Sequence, residues 1–414
     1  MKNWRVKLSL LLTYFVFAIL LNSVGVVILQ VINNYDISKP SASILEGFKD
    51  LPIASVSFLV ASYLPRFGYK NAILIGVFIV TIACLVMPQL PSFVMTKVLF
   101  LSVGVGFALV KVSIYSTVGL ITENRQQHVS FLNTIEGFFM IGVLAGYWIF
   151  GFFINPDDPK SIDWLEVYYW LALLCSINFI LLLSTPFKRV VVIEKHNSAL
   201  GEFVAMIKLV KLPMVCVFII SAFLYVLVEQ GIGTWLPTFN NEVLHLPTDV
   251  SVQVTSIFAG CLAIGRLSAG AILKHVNWYV LLNGCLAGMA VLILLTLPMT
   301  ENLIITDNVG WHNLPLAAWL FPCIGLFMAP IYPAINSVIL SSLPQGRHAA
   351  MAGLTALFSA LGGTTGSIIT GYVFSSFDGP TAFYFTLLPI IVIVLMLKAL
   401  YMYTQADDNA RCYQ

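Results

Sequence analysis

Residues 93–120 read FVMTKVLFLSVGVGFALVKVSIYSTVGL, and this stretch decides the fold class. Apart from Lys97 and Lys111 it contains no charged residue. A helix needs about twenty consecutive, mainly apolar residues to cross the hydrocarbon core of a bilayer, and this stretch exceeds that length. It therefore predicts a membrane-spanning helix, in which each polar group needs a structural or functional reason.

Apolar stretches of similar length follow one another along the rest of the chain. Hydrophobic residues make up 59% of the sequence, charged residues make up 10%, and the mean hydropathy is +0.92. These values lie far outside the averages of soluble proteins, so we predict an all-α polytopic membrane protein with twelve transmembrane helices. The predicted spans are residues 8–32, 43–64, 71–90, 93–120, 130–154, 166–185, 213–238, 249–273, 277–298, 314–342, 347–375 and 381–403.

The hydropathy falls between the sixth and seventh spans, where several basic residues occur. This division predicts two pseudo-symmetric six-helix bundles, residues 1–186 and 213–414, with a cytoplasmic linker at 187–212. Residues 199–210 of the linker form an amphipathic stretch suited to the inner membrane surface. The second bundle ends in a short cytoplasmic tail.

The basic residues indicate the orientation in the membrane. With the N-terminus in the cytoplasm, all Lys and Arg residues outside the spans fall in cytoplasmic loops, tails or their edges, except Lys39 and Lys160. Both termini are then cytoplasmic, and the lack of a glycosylation sequon favours a bacterial inner membrane. The net charge of +2 is not gathered into a basic stripe, so we predict no nucleic-acid partner.

Cysteine and histidine positions bear on the alternative functions. Six of the seven cysteines lie singly inside apolar segments, and all six histidines lie in or beside loops. We therefore predict no disulfide, metal or cofactor. An integral-membrane enzyme would need a cluster of reactive groups at membrane depth, and a sensor usually carries a soluble output domain. No nucleotide-binding loop occurs, which excludes direct use of ATP. An integral-membrane enzyme and a non-transporting sensor are therefore the less favoured alternatives to a secondary transporter.

Four local patterns occur in matching predicted helices. They are Phe223–Pro237 (FLYVLVEQGIGTWLP), the pair Gly265-Arg266, residues 330–337 (PIYPAINS), and Leu132-Asn133 followed by Glu136. Together they resemble the fucose–proton symporter family of the major facilitator superfamily. The resemblance implies alternating access, a substrate site between the two halves near the bilayer midplane, and proton-coupled movement of a small polar solute, typically a sugar.

The superfamily's motif after the second helix is matched in part. Arg66, Gly68 and Lys70 fit it, whereas Pro65 stands at the aspartate position and Ala61 at the first glycine. The resemblance implies a gating role for Arg66. We also assign Arg266, at the cytoplasmic end of the eighth span, to gating.

Two departures from the sugar symporter of this family concern the substrate. That protein has acidic residues midway along its first helix and in its fourth helix. Here the matching stretch of the first span reads Leu21-Asn22-Ser23 and contains no carboxylate. In the fourth span, Lys111 occupies the position of the acidic residue or the one next to it. An ammonium attracts a carboxylate or phosphate, so these departures favour an anionic or zwitterionic substrate, whereas the resemblance itself favours a sugar.

Lys111 and Glu136 are predicted at similar depths in antiparallel neighbouring helices, at about 1.5 Å per residue. One interpretation is a structural ion pair that joins the two helices. The other is that Lys111 faces the cavity and binds substrate together with Tyr115, while Glu136 tunes it or exchanges the coupling proton.

Glu229 and Gln230 precede Gly231 and Gly233 in the seventh span, with Trp235 soon after. Glycines weaken a helix, and broken helices that line cavities often form binding sites in transporters. We predict substrate contacts for Glu229, Gln230 and Trp235, and proton coupling for Glu229. The alternative is a role in an outer gate or in packing.

Three further polar groups complete the predicted site. Asn22 and Asn336 can donate to and accept from substrate hydroxyls, although either could instead join two helices. Asp50 lies with Glu46 and Lys49 near the outer end of the second span, where the three side chains can satisfy one another. An outer gate or simple snorkelling to the interface is favoured for this cluster over substrate contact.

The sequence therefore predicts a monomeric secondary transporter, with protons and one small polar solute as its partners in the bilayer. The solute is expected to carry a carboxylate or phosphate, and a proton-coupled sugar symporter is the alternative.

Overall fold

The computed structural model describes residues 4–61, 64–122, 124–187, 201, 206–301, 303, 310–344 and 347–412. These residues form helices and connecting turns, with no strand among them. The chain divides into two compact units, Met1–Ala199 and Leu200–Gln414, called here the N-terminal and C-terminal units. Most of the predicted linker at 187–212, including much of its amphipathic stretch, lies outside the described residues.

The N-terminal unit contains eight α-helices, in the part of it that is described. They are α1 Trp4–Asn22, α2 Val24–Tyr35, α3 Lys39–Ala61, α4 Leu64–Phe67, α5 Tyr69–Val86, α6 Phe93–Ile121, α7 Arg125–Phe153 and α8 Val167–Ser184.

The C-terminal unit follows a similar order of long helices. Its described α-helices are α9 Pro213–Glu242, α10 Thr248–Ile272, α11 Trp278–Thr296, α12 Leu316–Leu320, α13 Ile324–Met328, α14 Ile331–Ser342, α15 His348–Ser376, α16 Gly379–Tyr384 and α17 Leu387–Cys412.

Eleven helices in the described part of the chain are long and apolar enough to cross a membrane. The predicted second span, α3, is absent from this set although it has 23 residues. The reason is its composition, because Glu46, Lys49 and Asp50 interrupt its apolar sequence. The all-helical membrane fold is thus confirmed, while the count of twelve spans stays a prediction.

Two predicted spans are interrupted. The first, at 8–32, is two helices with Ser23 between α1 and α2, and the Ser23 hydroxyl donates to the Leu20 carbonyl at 2.8 Å. The tenth, at 314–342, is divided into α12, α13 and α14, with Pro322 and Pro330 at the joins. Proline lacks the amide hydrogen that a continuous helix requires, which explains the second interruption.

Glycines allow the same pairs of spans to pack closely in each unit. The first and fifth spans of the N-terminal unit meet at Gly142, where an added Cβ would lie 2.6 Å from the Phe15 carbonyl oxygen. The corresponding spans of the C-terminal unit, α9 and α15, meet at Gly362 and Gly366, where a Cβ would overlap the carbonyl oxygens of Phe223 and Leu227. Such contacts let helix backbones approach closely without relying on a hydrophobic driving force.

Gly366→Ala is therefore expected to destabilise the protein by several kcal/mol, since the new methyl group would overlap backbone that cannot move independently. Gly284→Ala is the matched control, because a Cβ at Gly284 in α11 would meet nothing within 4 Å. Thermal unfolding in detergent would compare them. Equal unfolding temperatures for the two variants would show that α9 and α15 do not approach each other at Gly366 as closely as the structure has them.

Candidate functional site

The fourth span, α6, has two accessible faces of different character. Val94, Val98 and Leu101 form an exposed apolar stripe suited to lipid. Lys111 and Tyr115 are also exposed. At 3.6 residues per turn, Lys111 lies about 80° around the helix from Leu101, so it belongs to a separate, polar face.

A carboxylate from the fifth span completes this polar face. The Tyr115 hydroxyl donates to Glu136 Oε1 at 2.5 Å, which joins α6 to α7. The ring of Tyr14 from α1 lies 6.4 Å from the Tyr115 ring, between centroids. We call Lys111, Tyr115, Glu136 and Tyr14 the N-terminal polar cluster.

Lys111 and Glu136 do not form the direct ion pair that one interpretation of the sequence predicted. Among the described residues, the ion pairs with a nitrogen–oxygen distance within 4.0 Å do not include one between Lys111 and Glu136. Glu136 instead accepts from Tyr115, and the Lys111 ammonium lies 5.8 Å from the centre of the Phe107 ring. The depths estimated from the sequence were close, but the two side chains have different partners.

The C-terminal unit brings together two residues that the sequence analysis had separated. Arg266 Nη2 of α10 lies 3.7 Å from Glu229 Oε1 of α9. The side chains of Arg266 and Glu229 are 43% and 20% exposed, so the pair is partly accessible. Tyr225, one turn before Glu229, is within electrostatic reach of both.

Two stacked tyrosines lie beside this pair. The Tyr225 ring stacks on Tyr332 of α14 at 5.7 Å, and its hydroxyl donates to the Met328 carbonyl at 3.0 Å. The Tyr332 hydroxyl lies 2.9 Å from the Ser359 hydroxyl. We call Glu229, Arg266, Tyr225 and Tyr332 the C-terminal polar cluster.

The predicted break of the seventh span is wrong. Helix α9 runs without interruption from Pro213 to Glu242, through Gly231, Gly233 and Pro237. The glycines serve packing, because a Cβ at Gly231 would lie 2.7 Å from the Thr370 hydroxyl oxygen, and one at Gly233 would lie 3.1 Å from the Phe258 ring.

Trp235 and Gln230 differ in accessibility, although both were predicted to contact substrate. Trp235 has an exposed fraction of 0%, and its indole nitrogen donates to the Ser367 carbonyl at 2.9 Å. A side chain without accessible surface cannot touch a solute in this conformation, so Trp235 has no place in the site proposed below. Gln230 is half-buried beside Glu229.

The two predicted asparagines bond within their own helices. The Asn22 amide donates to the Ala18 carbonyl at 2.9 Å, and the Asn336 amide donates to the Tyr332 carbonyl at 2.9 Å. Both are half-buried. Asn336 therefore adjoins the C-terminal polar cluster through Tyr332, whereas Asn22 lies directly before the interruption of the first span.

The acidic and basic side chains of α3 satisfy one another, as predicted, but they are buried instead of snorkelling. Lys49 pairs with Glu46 and lies 3.5 Å from Asp50 Oδ1. Glu46 is 0% and Lys49 6% exposed. The helix begins at Lys39, earlier than predicted, so these residues lie deeper than its first two turns. Lys49 also reaches the Leu21 carbonyl, at 3.4 Å, beside the interruption at Ser23.

Arg66 belongs to the short helix α4, but its side chain lies outside the described part of the structure. Lys70 of the same motif donates to the Leu183 and Thr185 carbonyls at 2.9 and 2.8 Å, at the end of α8. The last carbonyls of a helix lack partners within the helix, so Lys70 has a capping role here.

Comparison with protein families decides which class of fold carries these clusters. The sequence model of the Major Facilitator Superfamily matches residues 10–367. The chain belongs to the Major Facilitator Superfamily. Since this superfamily consists of transporters, the protein is a secondary transporter and not an enzyme, and the expectation from the sequence resemblance is confirmed at this level.

Solved structures show the same fold at low sequence identity. A mutant of the nucleoside transporter NupG superimposes with a TM-score of 0.73 and 16% identity, covering 95% of this chain and 99% of that one. The D-xylose–proton symporter gives 0.68 and 12%, covering 97% and 98%. A mutant of the E. coli fucose:proton symporter FucP gives 0.62 and 16%, covering 97% and 99%. No curated protein sequence matches this chain.

Sequence reasoning about this superfamily member missed the three buried or half-buried tyrosines of the clusters. Tyr14, Tyr225 and Tyr332 read as ordinary aromatic residues of apolar spans. One signal was present, because Tyr225 precedes Glu229 by four residues and side chains at that spacing share a helix face. Tyr14 and Tyr332 come from other helices, and only the packed structure places them.

Proposed function

We propose that this transporter moves a small polar organic solute carrying a carboxylate or phosphate, and that the movement is coupled to protons. Each unit contributes one polar cluster to the transport of the solute. Lys111, Tyr115, Gln230 and Asn336 contact it, Asn22 lies beside it, and Glu136 and Glu229 take part in proton coupling.

Lys111, an exposed residue on the polar face of α6, carries the proposal on substrate class. It is on the polar face of α6 and forms no ion pair with Glu136, the nearest acidic residue of its cluster. An ammonium only donates hydrogen bonds, so its natural partner is an anion. A membrane-embedded cation on an accessible polar face is costly unless it has a function of this kind.

Two embedded carboxylates support the proton coupling. Glu136 and Glu229 each lie near tyrosine hydroxyls in the membrane-spanning part of the fold, one in each unit. Coupling to protons is also a property of two structural neighbours, the D-xylose–proton symporter and the fucose:proton symporter.

The remaining assignments follow the sequence analysis. We place Asp50, Arg66 and Arg266 in gating, both termini in the cytoplasm of a bacterial cell, and the protein in the inner membrane as a monomer. In the structure, Asp50 and Glu46 both contact Lys49, so any movement of α3 would also move this largely buried charged cluster.

The alternative substrate class is a neutral sugar, favoured by the same two symporter neighbours. The half-buried amides of Asn336 and Gln230 are groups of the type that binds sugar hydroxyls. D-glucuronate and D-glucose form a suitable pair of probes, since they share a hydroxylated ring and differ by the carboxylate.

Lys111→Gln should weaken binding of an anionic ligand by about 1.5–3 kcal/mol, or about ten- to a hundredfold, because a charge-assisted hydrogen bond is lost. A thermal-shift screen on purified protein would find the ligand, since a ligand stabilises the state that it binds. The screen would contain organic acids, amino acids, phosphorylated compounds and neutral sugars.

Lys97→Gln is the matched control in the same helix. Its ammonium packs 4.3 Å from the centre of the Phe93 ring, away from the polar cluster. Binding of a neutral hexose with equal affinity by wild type and Lys111→Gln, together with no binding of any anion, would refute the anionic substrate and leave the sugar alternative.

A further inference from the structure

The fold brings together two cysteines that lie singly in the sequence. Cys261 is in the middle of α10, and Cys323 follows Pro322 at the join between α12 and α13 of the tenth span. The Cys323 thiol donates to the Trp319 carbonyl at 3.3 Å, and the Cys261 thiol shares a hydrogen bond with Cys323. The two residues are far apart along the chain, but in the C-terminal unit they form a dithiol.

Close backbone packing holds the two halves of this dithiol together. Phe258 lies one turn before the first cysteine, and its carbonyl oxygen would be 2.8 Å from a Cβ at Gly325. Gly265 lies one turn after the first cysteine, and a Cβ there would overlap the Leu326 carbonyl oxygen. Gly325 and Leu326 lie within one turn of the second cysteine. The two sulfur atoms therefore cannot separate far unless the tenth span moves away from α10.

The dithiol is accessible to a small apolar molecule. Both of its cysteines are half-buried. Ile264 and Trp319, each about one turn from one of these cysteines, are 59% and 43% exposed. The N-terminal unit also has two neighbouring thiols, Cys84 and Cys175, within electrostatic reach of each other, but they are 0% and 1% exposed. Accessibility thus distinguishes the pair in the C-terminal unit.

We propose that Cys261 and Cys323 form a binding site for neutral trivalent arsenicals, which bridge the two sulfur atoms and link α10 to the tenth span. An organic arsenic(III) oxide has one bond from arsenic to carbon, so two further bonds to sulfur complete it. Zinc, by contrast, takes four ligands in a structural site. The described residues contain no group of three or more His, Cys, Asp or Glu side chains that could hold a metal ion. The site is independent of the proposed solute and of its coupling to protons.

The binding reaction creates no charge inside the membrane. Phenylarsine oxide and two thiols react to form two arsenic–sulfur bonds, while the bonds between arsenic and oxygen break. The two thiol hydrogens leave with the oxide oxygen as one water molecule. Arsenic stays trivalent, and neither sulfur is oxidised. Reactants and products are all neutral, so the reaction avoids the cost of a charged group at membrane depth.

Retention of phenylarsine oxide would test the site directly. Purified wild type, Cys261→Ser, Cys323→Ser and the control Cys216→Ser would be treated with the reagent, washed with excess glutathione and measured by intact-protein mass spectrometry. Wild type and the control should each retain one phenylarsenic group per chain. Each of the other two variants should retain at least about tenfold less, because glutathione displaces arsenic held by one bond far more readily than arsenic held by two. Dimercaptopropanol, itself a dithiol, should release the group from wild type.

Cys216→Ser is the matched control, because Cys216 is a half-buried cysteine of the same unit whose thiol donates to the Val210 carbonyl at 2.8 Å. Peptide mapping of labelled wild type is a second measurement that decides the matter should a serine variant fail to fold. It should find arsenic joining the peptides of Cys261 and Cys323. No retention by wild type, retention that falls in only one of the two serine variants or in neither, or arsenic mapped to other cysteines would each overturn the inference.

Discussion

Glu136→Gln and Glu229→Gln are each expected to abolish accumulation of the ligand in proteoliposomes, while exchange of labelled for unlabelled ligand stays measurable. An amide neither binds nor releases the coupling proton, so the gradient can no longer drive the cycle. Exchange requires only that the loaded transporter reorient, and the amide is close in shape and charge to a protonated carboxylate. At Glu136 the amide oxygen can still accept from the Tyr115 hydroxyl, so the local fold should persist.

Glu166→Gln is the control for these variants, because Glu166 is an exposed residue in the short helix Asp163–Glu166. It should accumulate the ligand as wild type does. Normal accumulation by both Glu136→Gln and Glu229→Gln would show that the proton is carried elsewhere, and the cluster around Lys49 would be the next set of carboxylates to examine.

Lys49→Met is expected to lower the free energy of unfolding by about 3–5 kcal/mol, as seen when one partner of a buried ion pair is removed. Glu46 has no accessible surface, so its carboxylate would stay buried without the ammonium that contacts it now. Lys49 also donates to the Leu21 carbonyl beside the interruption of the first span, and that contact would be lost as well.

The double variant Glu46→Gln with Lys49→Met should be more stable than Lys49→Met alone, since it removes the stranded charge. Lys97→Met is the control, a half-buried lysine whose ammonium packs on an aromatic ring. Thermal unfolding in detergent would rank the four proteins. Similar unfolding temperatures for Lys49→Met and Lys97→Met would show that the α3 cluster contributes little to stability.

The sequence predicted the fold well where one physical effect dominates. The length of an apolar stretch is fixed by the thickness of the bilayer, so most spans fell close to the observed helices. The interruption at Ser23 was missed because serine is compatible with a membrane helix. The break predicted at Gly231 and Gly233 was wrong because glycine has two uses in membranes, weakening a helix or letting another helix approach, and the local sequence does not distinguish them.

The site was predicted less completely because it depends on contacts between helices. Glu229 lies 242 − 229 = 13 residues before the end of α9, and Arg266 lies 266 − 248 = 18 residues after the start of α10. That difference is about 7.5 Å at about 1.5 Å per residue, and two long side chains bridge it. Residue counts alone therefore predicted that Glu229 and Arg266 lie at different depths in the membrane. Tyr115, by contrast, was predicted beside Lys111 by helical spacing, but its bond to Glu136 was not.

Uptake of the identified ligand into proteoliposomes under an imposed pH gradient tests the central claim most directly. The gradient would be applied in each direction, with a sodium gradient and no gradient as comparisons. The proposed function predicts accumulation on the more alkaline side with the pH gradient alone. Equal uptake by wild type with and without the proton and sodium gradients would contradict it.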